Sequence, residues 1–395
     1  MKKINLYLGL AIIISGIFYS SCKEDTIKPT MECDLPVNDS SMYHPKKEIY
    51  QKLIDDYTKK GLPGIVLLIE DEDGIWMGAS GKADIEKGID MSVCTVSKVA
   101  SITKMMVATS VLMLVEDGVL DLDAKIGTWL PKSIIDRIEN AEDISLRQLM
   151  NHTSGIYDVI TDQGFYLKLL NNPNKDWKPE EILEFAYNKE PYFKPGEGVY
   201  YSNTNYLLIS MIVKEATGRG HNEILHEKII DPLEMNQTYY HWHDDLPPTV
   251  AQGYYDLYNN GTIMNLSNYH TGSGNGYGGV YSTVSDLRLF IRALLIEKTL
   301  LSDSMLAQMM TFTEVEPETT RALGLGIYDD FHDRPENERA NGHRGRDLQY
   351  SADLFYFPNQ HTTYAFLVNY GTNGSSALAD IFFEFRDAVA DEICK

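Results

Sequence analysis

The sequence predicts an α/β (α+β) protein: an antiparallel sheet flanked by helices and interrupted by a mostly helical insert at about residues 121–277. Strand pairs stand near both ends of the chain. "GIVLLIEDEDGIWMGAS" breaks at Asp73-Gly74 and "LQYSADLFYFPNQHTTYAFLVNY" at Pro358-Asn359, each an apolar run folded back at a turn signal. The residues between are richer in helix starts, prolines and loops, so both ends contribute to one layer and the middle is inserted into it. At 395 residues, 43% hydrophobic and 23% charged, the chain can bury one large or two ordinary cores.

Taken in order, residues 1–21 read as a secretory signal. Lys2 and Lys3 precede an apolar run from Ile4 to Phe18, shorter than the roughly 20 residues a spanning helix needs. Cys22, after Ser20 and Ser21, resembles the bacterial lipoprotein cleavage box, with Tyr19 where leucine is usual, and is the expected lipidation site. Lys23, Glu24 and Asp25 resemble the charged tag that sends some lipoproteins to the outer cell surface. The expectation is an exported outer-membrane lipoprotein, at the periplasmic face or the cell surface. A tether (22–44) with Pro29, Pro36 and Asn38 leads into the main domain (45–395).

Export permits disulfides. Cys33 and Cys394 sit near opposite ends of the mature chain, and domain termini often lie close together, so these two are expected to pair. Cys94 is expected as a small buried hydrophobe.

"KKEIYQKLIDDYTKKG" has helical spacing and stops at Gly61. "VASITKMMVATSVLMLVEDG" (99–118) is apolar on almost every face, a helix for the middle of a core. "YGGVYSTVSDLRLFIRALL" places a glycine turn before a helix that Ser282, Thr283 or Ser285 can cap. "SSALADIFFEFRDAVADEI" closes the chain as an amphipathic helix. No repeat at solenoid period interrupts this plan. A formal net charge of -22, without a basic stripe, excludes nucleic acid as a partner.

Ser101 and Lys104 share one face of the buried helix. An ammonium there is costly and tends to lose its proton, which makes a base beside a hydroxyl nucleophile. The pair alone is weak: S-x-x-K recurs at Ser20 and Lys23, and a helix cap plus a snorkelling lysine is the simpler reading of two residues.

Four stretches in order change that balance: "VASITK", "ISLRQLMNHTSGI" (144–156), "FKPGEGVYYSNTNYLLISMIVKEATG" (193–218) and "GHRGRDLQYSADLFYFP" (342–358). Together they resemble the serine β-lactamase and penicillin-binding-protein superfamily, in its class C and D-alanyl-D-alanine carboxypeptidase branch, from about residue 45 to the C-terminus. The resemblance implies that fold, no cofactor and no metal, with Ser101 as nucleophile and Lys104 as the adjacent base. Tyr201 would shuttle protons and Asn203 would hold the substrate amide, both in "YSN". His343 and Gly345 would stand on a strand edging the site. The amides of Ser101 and Arg346 would form the oxyanion hole.

Arg344 stands where threonine is usual, and "LQY" replaces the commoner Pro-Gly-Tyr. We expect Arg344 or Arg346 to fork onto a substrate carboxylate, the alternative being that both face solvent. Tyr258-Asn259-Asn260 and His270-Thr271-Gly272 fit the second and third motifs without their flanks and are set aside. "HWHDD" (241–245) lacks a further ligand group for a metal. No S-D-N is present, and Glu180 reads as a helix start, so deacylation falls to Tyr201.

The leading expectation is an exported serine hydrolase acting through an acyl-enzyme on a small amide or ester, most of all a D-amino-acid peptide, as a monomer on a lipid anchor in a bacterial membrane. A class C-type β-lactamase or an esterase stays open within enzymes. A non-catalytic penicillin- or peptidoglycan-binding lipoprotein stays open outside them.

Overall fold

The computed structural model describes residues 27–33, 41–173, 175–315, 320–372, 374 and 376–395. The signal, Cys22 and the charged tag lie outside the described residues. Among the described residues no helix is long and apolar enough to cross a membrane.

Nine strands form the main sheet: β1 (Gly64–Asp71), β2 (Gly74–Asp84), β3 (Ile89–Asp90), β4 (Thr313–Glu314), β5 (Arg321–Leu323), β6 (Tyr328–Asp330), β7 (Ala340–Arg346), β8 (Ser351–Phe357) and β9 (Thr362–Val368). Their order is β3-β2-β1-β9-β8-β7-β6-β5-β4, antiparallel throughout. The two ends of the chain thus meet at the β1–β9 pair, where Ile65 faces Val368.

β1 is apolar without alternation because both faces of the sheet are covered. Ile65, Leu67 and Ile69 join one core with α1 (Lys47–Lys59) and α5 (Ala377–Ile393), whose contributions include Tyr50, Ile54, Phe382 and Phe385. Val66 and Leu68 point the other way, into a core with α2 (Ile102–Glu116), α3 (Asn203–Thr217) and α4 (Val284–Ile291). In α2 every residue from Ile102 to Leu114 except Met113 is buried, which explains a helix with no polar face.

Residues 121–277 carry helices and only two-residue strands, Tyr239–Tyr240, Tyr254–Tyr255 and Met264–Asn265, none of which joins the main sheet.

The expected cysteine pairing is wrong. Cys33 is bonded to Cys94, and Cys394 is free. The reason lies in the stretch read as tether, of which residues 27–33 dock on the domain. Thr30 donates its amide to Asp84 Oδ2 (3.1 Å) and its hydroxyl to the Val250 carbonyl (2.6 Å), and the Met31 amide donates to Pro248 (2.8 Å). Docked in this way, the strap brings Cys33 to Cys94. Because the bond closes a long loop, reducing it should destabilise the fold by about 2–4 kcal/mol. Thermal unfolding with and without reductant checks this, and an unmoved midpoint rejects it.

Candidate active site

The turn into α2 is bent at Ala100, a non-glycine residue at φ 48°. Such a backbone is strained and persists only where its surroundings hold it. Ser101 follows at the helix N-terminus, and its hydroxyl makes no capping hydrogen bond. It is therefore available for chemistry at the positive end of the helix dipole.

Lys104 is fully buried. Its Nζ lies 3.0 Å from Ser101 Oγ, 2.8 Å from Asn203 Oδ1 and 2.5 Å from the Tyr277 carbonyl. Burial pulls it down to about 7 against the opposing charges of Asp158 and Asp347. The three partners decide where the lone pair of the neutral amine points. Two of them are carbonyl oxygens that only accept, so the amine donates to both, and its lone pair is left for the one partner with a proton to give, Ser101.

Asp158 makes this unambiguous. It accepts from the Asn203 amide nitrogen (3.0 Å) and from Asn203 Nδ2 (3.1 Å), which fixes the side-chain oxygen toward Lys104. Asp158 is itself buried and pushed up to about 6 by burial, against the Asn203 hydrogen bonds.

Tyr201 precedes α3, whose first residue is Asn203, so one helix start delivers both. The Tyr201 hydroxyl is buried beside those of Ser101 and Tyr328 but closes a well-formed hydrogen bond with neither. Burial holds the phenol well above its ordinary range, with the nearby Tyr328 next in effect. It therefore stays protonated and is a proton donor, which leaves Lys104 as the base. The ring lies 4.4 Å from that of His152, a residue of the "HTSGI" stretch.

His343 corrects the expectation of a catalytic imidazole. It is fully buried on β7, stacked on Tyr328 at 4.1 Å, with its ring 6.3 Å from that of Tyr201. It does not line the cavity. Nδ1 sits 2.6 Å from the Arg344 carbonyl and so carries the ring proton, leaving Nε2 a bare acceptor. Burial, then the Lys104 charge, keeps the ring neutral. It braces Tyr328 instead of meeting substrate.

Asn203 does line the cavity, yet its amide is spent on Lys104 and Asp158. Gly345 serves packing: a Cβ there would stand 2.1 Å from the Val99 carbonyl, so glycine lets β7 close against the residues before Ser101.

The arginines have carboxylate partners of their own within the protein. Side chains alternate along a strand, which puts Arg344 and Arg346 opposite His343. Arg344 forks onto Asp330, Arg346 Nη1 lies 2.7 Å from Asp353, and Arg386 of α5 joins both carboxylates (3.1 and 2.6 Å). Arg344 and Arg346 also line the cavity that holds Ser101, with side chains 18% exposed. Their carboxylate partners and Arg386 are buried under α5.

The direction of the Arg346 amide follows from the strand pairing. The Asp347 amide donates to Tyr350 (2.9 Å), on the β8 side. Successive amides alternate, so the Arg346 N–H points to the other edge, which is open because β6 pairs with β7 only up to Gly342.

A cavity of about 350 Å³ joins these groups, lined among others by Ser101, Tyr201, Asn203, Ile160, Phe165, Thr271, Tyr328 and Arg321. Arg321 escaped the sequence reading. Its guanidinium lies 5.1 Å over the Tyr328 ring, and among the described residues its Nε has no partner and no carboxylate is within ion-pair reach. Thr271 came from the His270-Thr271-Gly272 match that was set aside, whereas Tyr258 is exposed and remote from the cavity. In "HWHDD", His243 meets the Gly274 carbonyl and Asp244 accepts from Tyr240 and meets His226. Among the described residues no His, Cys, Asp and Glu cluster has metal-holding geometry.

Residues 50–386 match the sequence profile of the Beta-lactamase family. The chain belongs to the Beta-lactamase family. It is 26% identical over 341 residues to Penicillin-binding protein 4* of Bacillus subtilis, covering 83% of this chain and 73% of that one. Among solved structures, a D-stereospecific amidohydrolase from Streptomyces sp. superposes at TM-score 0.73 with 29% identity, over 81% of this chain and 93% of that one. D-amino acid amidase from Ochrobactrum anthropi SV3, complexed with L-phenylalanine, gives 0.75 and 25%, over 88% and 98%. These family members are serine hydrolases that work through an acyl-enzyme.

Proposed function

We propose that this member of the Beta-lactamase family is an exported lipoprotein hydrolase that cleaves small peptides or amides of D-amino acids through an acyl-Ser101 intermediate. The observation that carries the reading is the Lys104 lone pair aimed at Ser101 by two carbonyl acceptors. Ser101 Oγ bonds to the substrate carbonyl carbon as its proton moves to Lys104 Nζ, and the carbonyl oxygen takes up the charge between the Ser101 and Arg346 amides. The C–N bond breaks as the amine takes a proton from Tyr201, which Lys104 then reprotonates. Water reverses the sequence and frees the acid.

Relatives named for D-amino-acid amide and D-stereospecific amide hydrolysis support the D-configured class. Arg321, a cavity-lining cation with no ion-pair partner among the described residues, favours a peptide with a free carboxylate over a simple amide. A β-lactam also carries a carboxylate, so β-lactamase activity is the second reading. The localisation rests on the Cys22 box alone.

A fluorophosphonate probe should label the wild type, and Ser101→Ala should take none. A wild type that resists labelling means a binding protein. Nitrocefin, a p-nitrophenyl ester and a D-Ala-D-Ala peptide run side by side should give the highest kcat/KM with the peptide. Nitrocefin in first place transfers the assignment to β-lactamase.

A further inference from the structure

The oxyanion hole of the hydrolase reading has its two donors on different elements, Ser101 at the start of α2 and Arg346 at the end of β7. Neither element fixes the other's distance. A buried ion pair spans the joint. Lys98 Nζ lies 2.5 Å from Asp347 Oδ2, with side chains only 4% and 8% exposed. Lys98 stands three residues before Ser101, and Asp347 directly follows Arg346.

Each partner is anchored on its own side. Lys98 sits in the short strand Ser97–Lys98, paired opposite Tyr281. Asp347 accepts the Leu348 amide at its other oxygen (2.7 Å), and Thr271 Oγ1 lies 3.4 Å from both charged groups. Between Lys98 and Ser101 comes the strained Ala100, and the Val99 carbonyl presses on Gly345. A buried pair of this kind adds little net stability over well-packed apolar residues, because desolvation offsets the attraction. Its effect is to fix position.

We propose that Lys98 and Asp347 are positioning residues that set the gap between the Ser101 and Arg346 amides, and so hold the oxyanion hole at its working width. This rests on the hydrolase reading. Asp347 borders the cavity, but its carboxylate is engaged by Lys98, so the pair acts on the transition state more than on binding.

The test compares wild type, Lys98→Met, Asp347→Asn and Lys98→Arg on a p-nitrophenyl ester, with active sites counted by the endpoint of fluorophosphonate labelling. Per labelled site, the first two variants should lose about 10–100-fold in kcat, the scale of a small misplacement, with KM little moved. Lys98→Arg, which keeps charge and donors, should recover most of the loss. Should Lys98→Met not fold, Asp347→Glu, with the charge kept and the arm one methylene longer, should show the same fall in kcat at unchanged KM. Wild-type kcat per labelled site in these variants, or a loss confined to KM or to the labelled fraction, overturns the proposal. An unlabelled wild type overturns the hydrolase reading and this proposal with it, whereas a labelled wild type with unaffected variants overturns this proposal alone.

Discussion

Lys104→Met should lower kcat by about 10²–10⁴-fold, the range a positioned general base contributes, while KM for a neutral ester changes little. The wild type should also lose activity as pH falls through about 7. Lys104 is pulled down to about 7, so below that value it holds a proton, has no lone pair for Ser101, and cannot act as base. Above it the amine is neutral and the rate levels off. Asp158, pushed up to about 6, adds a second step on the acid side, because its protonation releases the Asn203 amide that orients the amine. Lys104 and Asp158 interact, so the two steps belong to the pair and not to either residue. His152 and His343 are held neutral by burial and contribute no step near neutrality. In Lys104→Met the step near 7 should vanish. A wild-type rate that stays flat from about pH 8 to about pH 5, one unit either side of the two groups, or a Lys104→Met variant with full kcat, would remove the base from the mechanism.

Arg321→Ala should raise KM for a carboxylate-bearing peptide by roughly 10–100-fold, the effect of losing a hydrogen bond to a charged group worth about 1.5–3 kcal/mol. A neutral ester should be hydrolysed as before. Arg344→Ala is expected to behave differently. Its guanidinium is engaged with Asp330, which is fully buried and held well below the usual carboxylate range chiefly by Arg386 and Arg344, against burial. Its removal should therefore lower the unfolding midpoint and depress activity on charged and neutral substrates alike. Steady-state kinetics on matched substrates with and without the carboxylate decide it. Equal changes for both classes in Arg321→Ala would deny that side chain a role in recognition.

Several features follow from local pattern. The unbroken apolar run of α2 marks a helix buried all round, and the hairpin before it announces itself at Gly74, which takes φ 125° in the turn. The Ser101 and Lys104 spacing, with Tyr201 and Asn203 just where a second helix begins, is also visible in the chain. Even the orientation of Arg344 and Arg346 was within reach, since period two along a strand sets them opposite His343 and Gly345. What the strand period cannot say is that Asp330, Asp353 and Arg386 wait on that face, because their contacts span tens of residues. Arg321 lies in "TTRALGLGI", a stretch with no motif, and Asp158 in "GIYDVI", equally plain.

By itself the sequence determined the layers and the central helix, because those depend on periodicity, and it marked Ser101 and Lys104 as the candidate nucleophile and base only through the four stretches that resemble the family. Tertiary structure alone decided that Cys33 meets Cys94, that His343 braces Tyr328 from behind, and that the Lys104 lone pair faces Ser101. Each of these is set by which groups from distant segments surround an atom and by whether they can give a proton or only accept one. Packing supplies that information, and spacing along the chain does not.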